Sequence, residues 1–280
     1  MNSRAFITIA LCLGAAACTV SDQQEVAMGE QDAAQINAQL PLLDDPRIVG
    51  YVQQLGQRIA ATTPRADLSW HFYVVNTSDV NAFALPGGFI YVNRGLIEQS
   101  QRLDQLAGTL GHEIGHVVRR HAVEQMKKQT GANIGVSLVC TLTHICEHAG
   151  SQIVINAAGS ALFARYSRLD EAEADSEAVV NVVNAGMDPR GIPELFQILI
   201  RARERAPSQL EAFFASHPLE ESRIAATQQQ IANLGRGNLA TLTADDASFH
   251  EFKNALAALP PPPRRRAIES QGLPLRPGER

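Results

Sequence analysis

The residues with the clearest chemical potential lie in one short stretch, HEIGHVVRRH, at positions 112–121. On a helix, His112 and His116 are four residues apart and project from one side, so both imidazoles can reach one metal ion. Glu113 lies about 100° further around such a helix. From there it can reach a water molecule on that metal as a general base. This spacing is typical of a hydrolytic zinc site.

The helical phase of the same segment separates a packed face from a metal-facing face. Apolar residues between positions 103 and 128 recur at helical spacing, and the packed face holds Leu106, Ala107, Leu110, Ile114, Val117 and Val118. His112 and His116 lie on the opposite side. An uninterrupted helix returns His121 to the packed face, so we expect a buried, hydrogen-bonded histidine away from the metal.

A zinc hydrolase commonly keeps three protein ligands and leaves one position for water, so a third ligand is needed. The segment YSRLDEAEADSEA at 166–178 offers two carboxylate pairs, Glu171 with Asp175 and Glu173 with Glu177. Each pair lies on one helical face. The first pair would supply a ligand and a second carboxylate that orients a ligating imidazole through its other N–H. Spacing alone excludes neither pair as the source of the third ligand. It also allows all four carboxylates to lie on a solvated acidic face and bind no metal.

Other patterns indicate the elements that position these groups. Asp45-Pro46 opens a helix, the aromatic and β-branched segment WHFYVVN at 70–76 predicts a strand, and AFALPGGFIYVNRG at 82–95 predicts a hairpin. Helical periodicity or apolar character predicts further helices at 103–128, 131–165, 166–184, 189–205 and 218–234. The chain is therefore expected to be mainly helical, with a small amount of β-structure.

The composition is that of a globular chain, with 280 residues of which 45% are hydrophobic and 19% charged. The net charge of −5 lacks the excess of positive charge that is typical of nucleic-acid-binding proteins, so nucleic acid is not an expected partner. The predicted catalytic domain covers 45–235, after a linker or edge helix at 19–44. A C-terminal extension at 236–280 ends in a Pro- and Arg-rich tail that is expected to be disordered.

The N-terminus, MNSRAFITIALCLGAAAC, is typical of a secretory signal peptide at 1–18. It has a basic start at Arg4 and an apolar run at 5–17 that is too short to span a bilayer. Cys18 follows small residues as in a bacterial lipobox, although Ala15 stands where Leu, Val or Ile is usual. We expect an exported, periplasmic chain whose lipidated Cys18 holds it at the outer membrane.

Two cysteines, Cys140 and Cys146, lie well beyond the predicted signal. In an oxidising periplasm such a pair commonly forms a disulfide, and two buried free thiols are the alternative. The overlapping sequence HICEH at 144–148 fits an inverted zinc motif. Because a disulfide at Cys146 would disfavour a regular metal-binding helix, we expect His144 and His148 to be loop or surface groups.

Four separated motifs occur in a fixed order: NAFALPGGFIYVNRGLI (81–97), GHEIGHVVRRH (111–121), SRLDEAEAD (167–175) and FFASHPLEESRI (213–224). Together they resemble the zinc metallopeptidase family of the CAAX prenyl protease and HtpX, and within it the soluble, periplasmic BepA/LoiP-type branch. The resemblance covers roughly 45–235. It implies an α+β, mainly helical gluzincin-type zincin domain, with a small antiparallel β-sheet or hairpin beside the HExxH helix.

The resemblance also implies roles for individual residues. It implies one zinc ion per chain, held by His112, His116 and Glu171. Glu113 would be the catalytic base, and Asp175 would lie behind a ligand. Spacing alone left the choice of Glu171 open.

The same resemblance implies roles for His217 and for the hairpin. His217, in the S-H-P motif, would stabilise the oxyanion or contact the metal; the alternative is a histidine that only marks a helix entry before Pro218. The hairpin would hold an extended substrate by backbone pairing. The residues expected to bind substrate are Ala84, Leu85, Pro86, Gly87 and Gly88.

These inferences lead to a zinc-dependent endopeptidase of the bacterial cell envelope, and the resemblance implies unfolded, misfolded or misassembled envelope proteins as its substrates. Two rival functions stay open: a non-catalytic chaperone-like or assembly lipoprotein on the same fold, and a zinc hydrolase of cell-wall peptides. An intact Glu113 and three intact ligand positions favour an enzyme over the first rival. The motifs do not distinguish an endopeptidase from the second rival, the zinc hydrolase of cell-wall peptides.

Overall fold

A computed structural model describes residues 20–130, 166–219 and 221–263. In chain order its elements are α1 (Asp22–Asn37), α2 (Pro46–Ala60), β1 (His71–Val75), β2 (Ala82–Leu85), β3 (Phe89–Asn93), α3 (Arg94–Gln99), α4 (Leu103–Val118), α5 (His121–Thr130), α6 (Arg168–Asn184), α7 (Gly191–Arg205), α8 (Pro207–Ser216), α9 (Glu221–Asn233), α10 (Arg236–Leu239) and α11 (Ala247–Ala257). This mainly helical arrangement with a small sheet confirms the predicted α+β class.

The sheet has three strands in the order β1-β3-β2. β2 and β3 form the predicted antiparallel hairpin. Its turn runs through Gly87 and Gly88 at φ of 77° and 101°, a region that glycine enters without a Cβ penalty. β1 pairs with β3 in parallel, with Tyr73 opposite Tyr91. The sheet is therefore mixed rather than wholly antiparallel, because β1 lies beside β3 and not beside β2, the next strand in the chain.

The helix α2 packs against the sheet through the amphipathic face that its sequence predicts. Asp45 caps its N-terminus by accepting a hydrogen bond from the backbone N–H of Arg47 at 2.9 Å, and Pro46 occupies the first helical position. The helix is in contact with β1. Its buried apolar residues join the main hydrophobic core with Phe72 of β1; they are Ile48, Val52, Leu55, Ile59 and Ala60.

The helix α4 is buried along nearly its whole length and makes its most extensive contacts with α6. Glycines permit this close approach. A Cβ added at Gly115 would lie 2.9 Å from the carbonyl oxygen of Ala174, and one added at Gly111 would lie 3.4 Å from Cα of Ala178. Packing therefore accounts for glycines that lower helix propensity. The contact brings the acidic N-terminal half of α6 beside the histidines of α4.

Helices near both ends of the described chain pack on this body. In α1, Ala33 and Ile36 are buried in a cluster that includes Tyr91 of β3. In α11, Phe252 stacks on Tyr51 of α2 with ring centroids 4.3 Å apart. The segments at 19–44 and 236–280 thus contain helices that contribute to the cores, while the limits of the predicted domains stay predictions.

Some predictions concern residues outside the described ranges. They are the signal peptide at 1–18 with Cys18, the helices at 131–165 with the Cys140–Cys146 pair and the histidines of HICEH at 144–148, and the basic part of the tail from 264 onward. Within the ranges that the structure describes, no helix is both long enough and apolar enough to cross a lipid bilayer.

Candidate metal centre

The helix α4 directs two imidazoles at one point. The Nε2 atoms of His112 and His116 lie 3.0 Å apart, and both side chains are buried. The four-residue spacing produces this arrangement because such residues lie one above the other on one face. Burial lowers the pKa of His116 well below its ordinary value. The imidazole of His116 is therefore neutral at neutral pH and has a lone pair for a metal.

A carboxylate from α6 lies against this histidine pair. Ser167 caps α6 in a reciprocal capping box with Asp170, and Glu171 follows in the first turn with its side chain fully buried. Oε1 of Glu171 lies 3.4 Å from Nε2 of His116, and Oε2 lies 3.6 Å from Nε2 of His112. The structure therefore brings Glu171 to the point where the two imidazoles meet.

The competing carboxylate pair lies away from that point. The side chain of Glu173 is 40% exposed, and its Oε2 lies 3.1 Å from Nε2 of His121. Glu177 accepts a hydrogen bond from Nε of Arg119 at 2.8 Å. Spacing alone allowed either pair, and the packing of α6 on α4 places Glu171, not Glu173, beside His112 and His116.

His217 follows α8 and completes a set of four buried groups. Its Nδ1 lies 3.1 Å from Oε1 of Glu171 and 3.4 Å from Nε2 of His112. Burial alone would lower the pKa of His217, but the carboxylates of Glu171 and Glu113 outweigh it and raise the pKa to about 8. The same contacts act on Glu171: burial opposes its ionisation, while His217 and the hydrogen bonds from His116 and His217 hold its pKa well below the ordinary value.

These four side chains fit a single zinc ion. One ligand atom from each of His112, His116, Glu171 and His217 lies within 4.8 Å of the other three. Imidazole nitrogens with one carboxylate form a donor set that suits Zn²⁺. All four groups are buried. A neutral imidazole at His116 and an ionised carboxylate at Glu171 are the protonation states that a metal requires.

Glu113 lies beside this set with one oxygen uncommitted. Its Oε1 is 3.7 Å from Nε2 of His217. Among the described residues its Oε2 has no hydrogen-bond partner, although the side chain is only 1% exposed. Burial raises the pKa of Glu113, and nearby His217 and His112 lower it by less. A buried carboxylate with a raised pKa and an uncommitted oxygen is suited to accept a proton from water.

Asp175 lies one turn beyond Glu171 on α6, and its carboxylate lies beside the Nδ1 side of the His112 ring. Its Oδ1 is 3.0 Å from Nδ1 of His112. Arg223 of α9 holds the same carboxylate by two hydrogen bonds of 2.8 and 2.7 Å and also pairs with Glu171. Burial opposes the ionised form of Asp175, but Arg223 and His112 lower its pKa below the ordinary value. Sequence reasoning missed Arg223, which lies six residues after His217 in FFASHPLEESRI.

His121 departs from the predicted geometry. It is buried and hydrogen-bonded as expected, but its Nδ1 lies 2.9 Å from Nδ1 of His116. His121 is not among the four residues that could hold a metal ion, but it contacts His116 and does not pack on the apolar face of α4, because the helix is interrupted. α4 ends at Val118, Arg120 has a positive φ of 59°, and α5 begins at His121. This break turns the His121 ring back toward the metal-facing side.

The hairpin turn lies close to His116. Ala84, Leu85 and Pro86 line a small cavity together with His116 and Tyr166. The Tyr166 ring stacks on the imidazole of His116, with centroids 3.9 Å apart and an angle of 22°. Sequence reasoning gave Tyr166 no part in the site, and its position just before the SRLDEAEAD motif is the signal that could have indicated one.

The other hairpin residues contact the N-terminal helix or the start of β1. The backbone N–H of Gly87 donates to Oε1 of Glu25 in α1 at 3.2 Å. A Cβ added at Gly88 would lie 3.1 Å from the carbonyl oxygen of Ser69. β2 forms one edge of the sheet. Substrate binding by the hairpin stays a prediction.

Several known proteins are similar to this chain. A Beta-barrel assembly-enhancing protease from Yersinia pestis is 31% identical over 215 residues, which are 75% of this chain and 44% of that protein. The Mitochondrial metalloendopeptidase OMA1 of Arabidopsis thaliana is 33% identical over 184 residues, 65% of this chain and 36% of that protein. Metalloprotease YcaL of Escherichia coli (strain K12) is 25% identical over 222 residues, 78% and 84% of the two chains. The match therefore spans under half the length of the first two relatives.

The sequence pattern of peptidase family M48 matches residues 46–231. This range contains the whole buried set at the centre, from His112 to His217, together with Glu113 and Asp175. It also confirms the family resemblance that the four motifs indicate. The chain therefore belongs to peptidase family M48.

Proposed function

We propose that this chain is a zinc-dependent endopeptidase of the bacterial cell envelope that hydrolyses peptide bonds in misfolded or misassembled envelope proteins. One observation carries the catalytic part of the proposal. The buried set of His112, His116 and Glu171 lies next to Glu113, a buried carboxylate whose Oε2 has no hydrogen-bond partner among the described residues. A purely structural metal site has no need of such a base.

The chain's own residues divide the catalytic work. Zinc, when bound, polarises the scissile carbonyl and makes water more acidic. Glu113 accepts the proton of the attacking water and delivers it to the leaving amine, a role that its raised pKa supports. His217, whose Nε2 lies 3.7 Å from Oε1 of Glu113, donates a hydrogen bond to the oxyanion. Asp175, whose Oδ1 lies 3.0 Å from Nδ1 of His112, would take the Nδ1 proton of that ring and so direct its Nε2 at the centre.

For substrate binding we assign the hairpin turn at 84–88 and the edge strand β2. An extended peptide can pair with the backbone at the edge of a sheet without regard to its sequence, which suits an enzyme that acts on unfolded chains. β2 lies at the sheet edge, and because its residues are buried, pairing with a peptide requires that edge to be uncovered. Ala84, Leu85 and Pro86 also lie near His116, with which they line a cavity about large enough for one water molecule.

The envelope location is also part of the proposal. The segment at 1–18 has the pattern of a secretory signal, and Cys18 is the residue that would carry the lipid anchor at the outer membrane. Relatives named Beta-barrel assembly-enhancing protease are in line with substrates in the envelope. If the proposal holds, labelled fatty acid is incorporated into wild type and not into Cys18→Ser, and the variant leaves the membrane fraction.

The catalytic proposal is tested with the full chain, comparing wild type, Glu113→Gln and Glu204→Gln. Glu204 is exposed and serves as a matched control. We expect all three to bind about one zinc ion per chain and to have equal thermal stability. Wild type and Glu204→Gln should cleave an unfolded envelope protein, while Glu113→Gln should lose at least about 100-fold in rate.

Other outcomes identify the rivals. Equal cleavage by wild type and Glu113→Gln would remove Glu113 as the base. Release of soluble fragments from cell-wall peptides, without cleavage of unfolded protein, would favour the cell-wall hydrolase. A wild type that binds zinc and suppresses aggregation of unfolded protein without cleaving it would favour the chaperone-like lipoprotein.

A further inference from the structure

The turn at 119–120 places His121 against the outer side of His116. Arg120 has φ of 59°, in the left-handed region that residues with a Cβ rarely adopt. Its side chain is held from α1 and the segment before it, since Nε lies 2.7 Å from Oε2 of the buried Glu25 and Nη2 donates to the carbonyl of Val20 at 2.7 Å. Arg65 also donates to Glu25 and to the carbonyl of Val117 near the end of α4. These contacts stabilise the turn.

The ring of His121 lies on the outer side of His116. Nε2 of His116 faces His112 at 3.0 Å and Glu171 at 3.4 Å, whereas its Nδ1 faces Nδ1 of His121 at 2.9 Å. A histidine that binds a metal through Nε2 carries its proton on Nδ1 and needs an acceptor there. Nδ1 of His121 stands in the position of that acceptor.

The tautomer of His121 then follows from its other nitrogen. If Nδ1 accepts from His116, the proton of the neutral ring is on Nε2. Nε2 of His121 lies 3.1 Å from Oε2 of Glu173, which can accept it. The three residues form a directed chain: His116 donates to His121, and His121 donates to Glu173. Because Glu173 is partly exposed, its carboxylate retains contact with solvent while it orients the buried ring.

We propose that His121, oriented by Glu173, is a positioning residue for the ligand His116. Its Nδ1 accepts the Nδ1 proton of His116 and so directs the Nε2 lone pair of His116 at the zinc ion. The inference rests on zinc ligation by His116 in the proposed function. His116 then has an outer partner just as His112 has Asp175, and a residue that looked like a core histidine becomes part of the centre.

The test measures zinc affinity of the full chain by competition with a chromophoric chelator, together with histidine tautomers by long-range proton–nitrogen NMR. His121→Leu removes the acceptor. His121→Asn keeps an oxygen close to the position of Nδ1, and Glu173→Gln removes the carboxylate. We expect His121→Leu to weaken zinc binding by about 10- to 100-fold. His121→Asn should recover most of that loss, Glu173→Gln should give a smaller loss, and His121 in wild type should be the Nε2–H tautomer.

Three results would overturn the inference. They are unchanged zinc affinity in His121→Leu, equal losses in His121→Leu and His121→Asn, and an Nδ1–H tautomer of His121 in the wild type. The second would mean that the ring only fills space. If His121→Leu fails to fold, the zinc affinity of Glu173→Gln and the tautomer of His121 in the wild type still test the inference. Glu173 is partly exposed, so its replacement should leave the fold intact. A wild type that binds zinc but cleaves nothing counts against the proposed function alone and leaves these readouts intact.

Discussion

Nδ1 of His112 lies 3.0 Å from Oδ1 of Asp175, while Nε2 of the same ring faces Nε2 of His116. The two nitrogens of one imidazole therefore have different partners, and the ring has one orientation available. Arg223 holds Asp175 from α9 with two hydrogen bonds. The orientation of the His112 ring is thus set by side chains from α6 and α9, which sequence periodicity on α4 does not reveal.

Replacing Asp175 by asparagine should weaken zinc binding by about 10- to 100-fold while the fold is retained. An amide is a weaker acceptor for the Nδ1 proton of His112 and no longer pairs with the charge of Arg223. Competition with a zinc chelator measures the effect, and circular dichroism checks the fold. Asp67→Asn, at an exposed position, is the matched control. Equal affinities for the two variants would show that Asp175 does not orient His112.

Removal of Glu171 should abolish stoichiometric zinc binding, because its carboxylate lies within 3.6 Å of the Nε2 atoms of both ligand histidines. Glu177→Ala is the control on the same helix, since Glu177 pairs with Arg119 and not with the centre. Metal analysis after gel filtration should find about one zinc per chain in Glu177→Ala and far less in Glu171→Ala. Full zinc occupancy in Glu171→Ala would exclude it as a ligand.

Zinc binding should release a proton from His217 at pH 7. Burial lowers the pKa of His217, but Glu171 and Glu113 raise it to about 8, so the metal-free ring is mostly protonated at pH 7. An incoming dication expels that proton. Calorimetric titrations in buffers of different ionisation enthalpy should show about one proton fewer released by His217→Gln than by wild type. The difference should fall to near zero at about pH 9, above the raised pKa. Equal release at pH 7 would contradict this assignment.

Alanine at Gly115 should destabilise the protein by about 1–3 kcal/mol and weaken zinc binding. The new Cβ would lie 2.9 Å from the carbonyl oxygen of Ala174, so α6 has to move away from α4 and carry Glu171 with it. Gly50→Ala in α2 is the control, because nothing lies within 4 Å of its Cβ. There the better helix propensity should stabilise by up to about 1 kcal/mol. Denaturant unfolding distinguishes the two, and stabilisation by both variants would refute the packing role of Gly115.

The sequence by itself determined the local part of this centre. The spacing of His112 and His116 places both imidazoles on one helical face, and the position of Glu113 directs a third group to the same side. The sequence likewise predicts the helix α2, the hairpin and the start of the helix α6. Caps, turns and amphipathic faces depend on residues that are close together in the sequence. The four motifs were enough to indicate the family.

Only the tertiary structure decided which distant groups complete the centre. Glu171 and Glu173 are equally available on an isolated α6, and the contact of that helix with α4 across Gly111 and Gly115 places Glu171 beside the histidines. Arg223 enters from α9. His121 contacts His116 and does not pack on the apolar face of α4 as helical phase predicts. The reason is that contacts of α1 with Arg120 stabilise a backbone turn, which helical periodicity cannot predict. Helical phase is a short-range property, whereas a metal site is closed by packing between elements far apart in the chain.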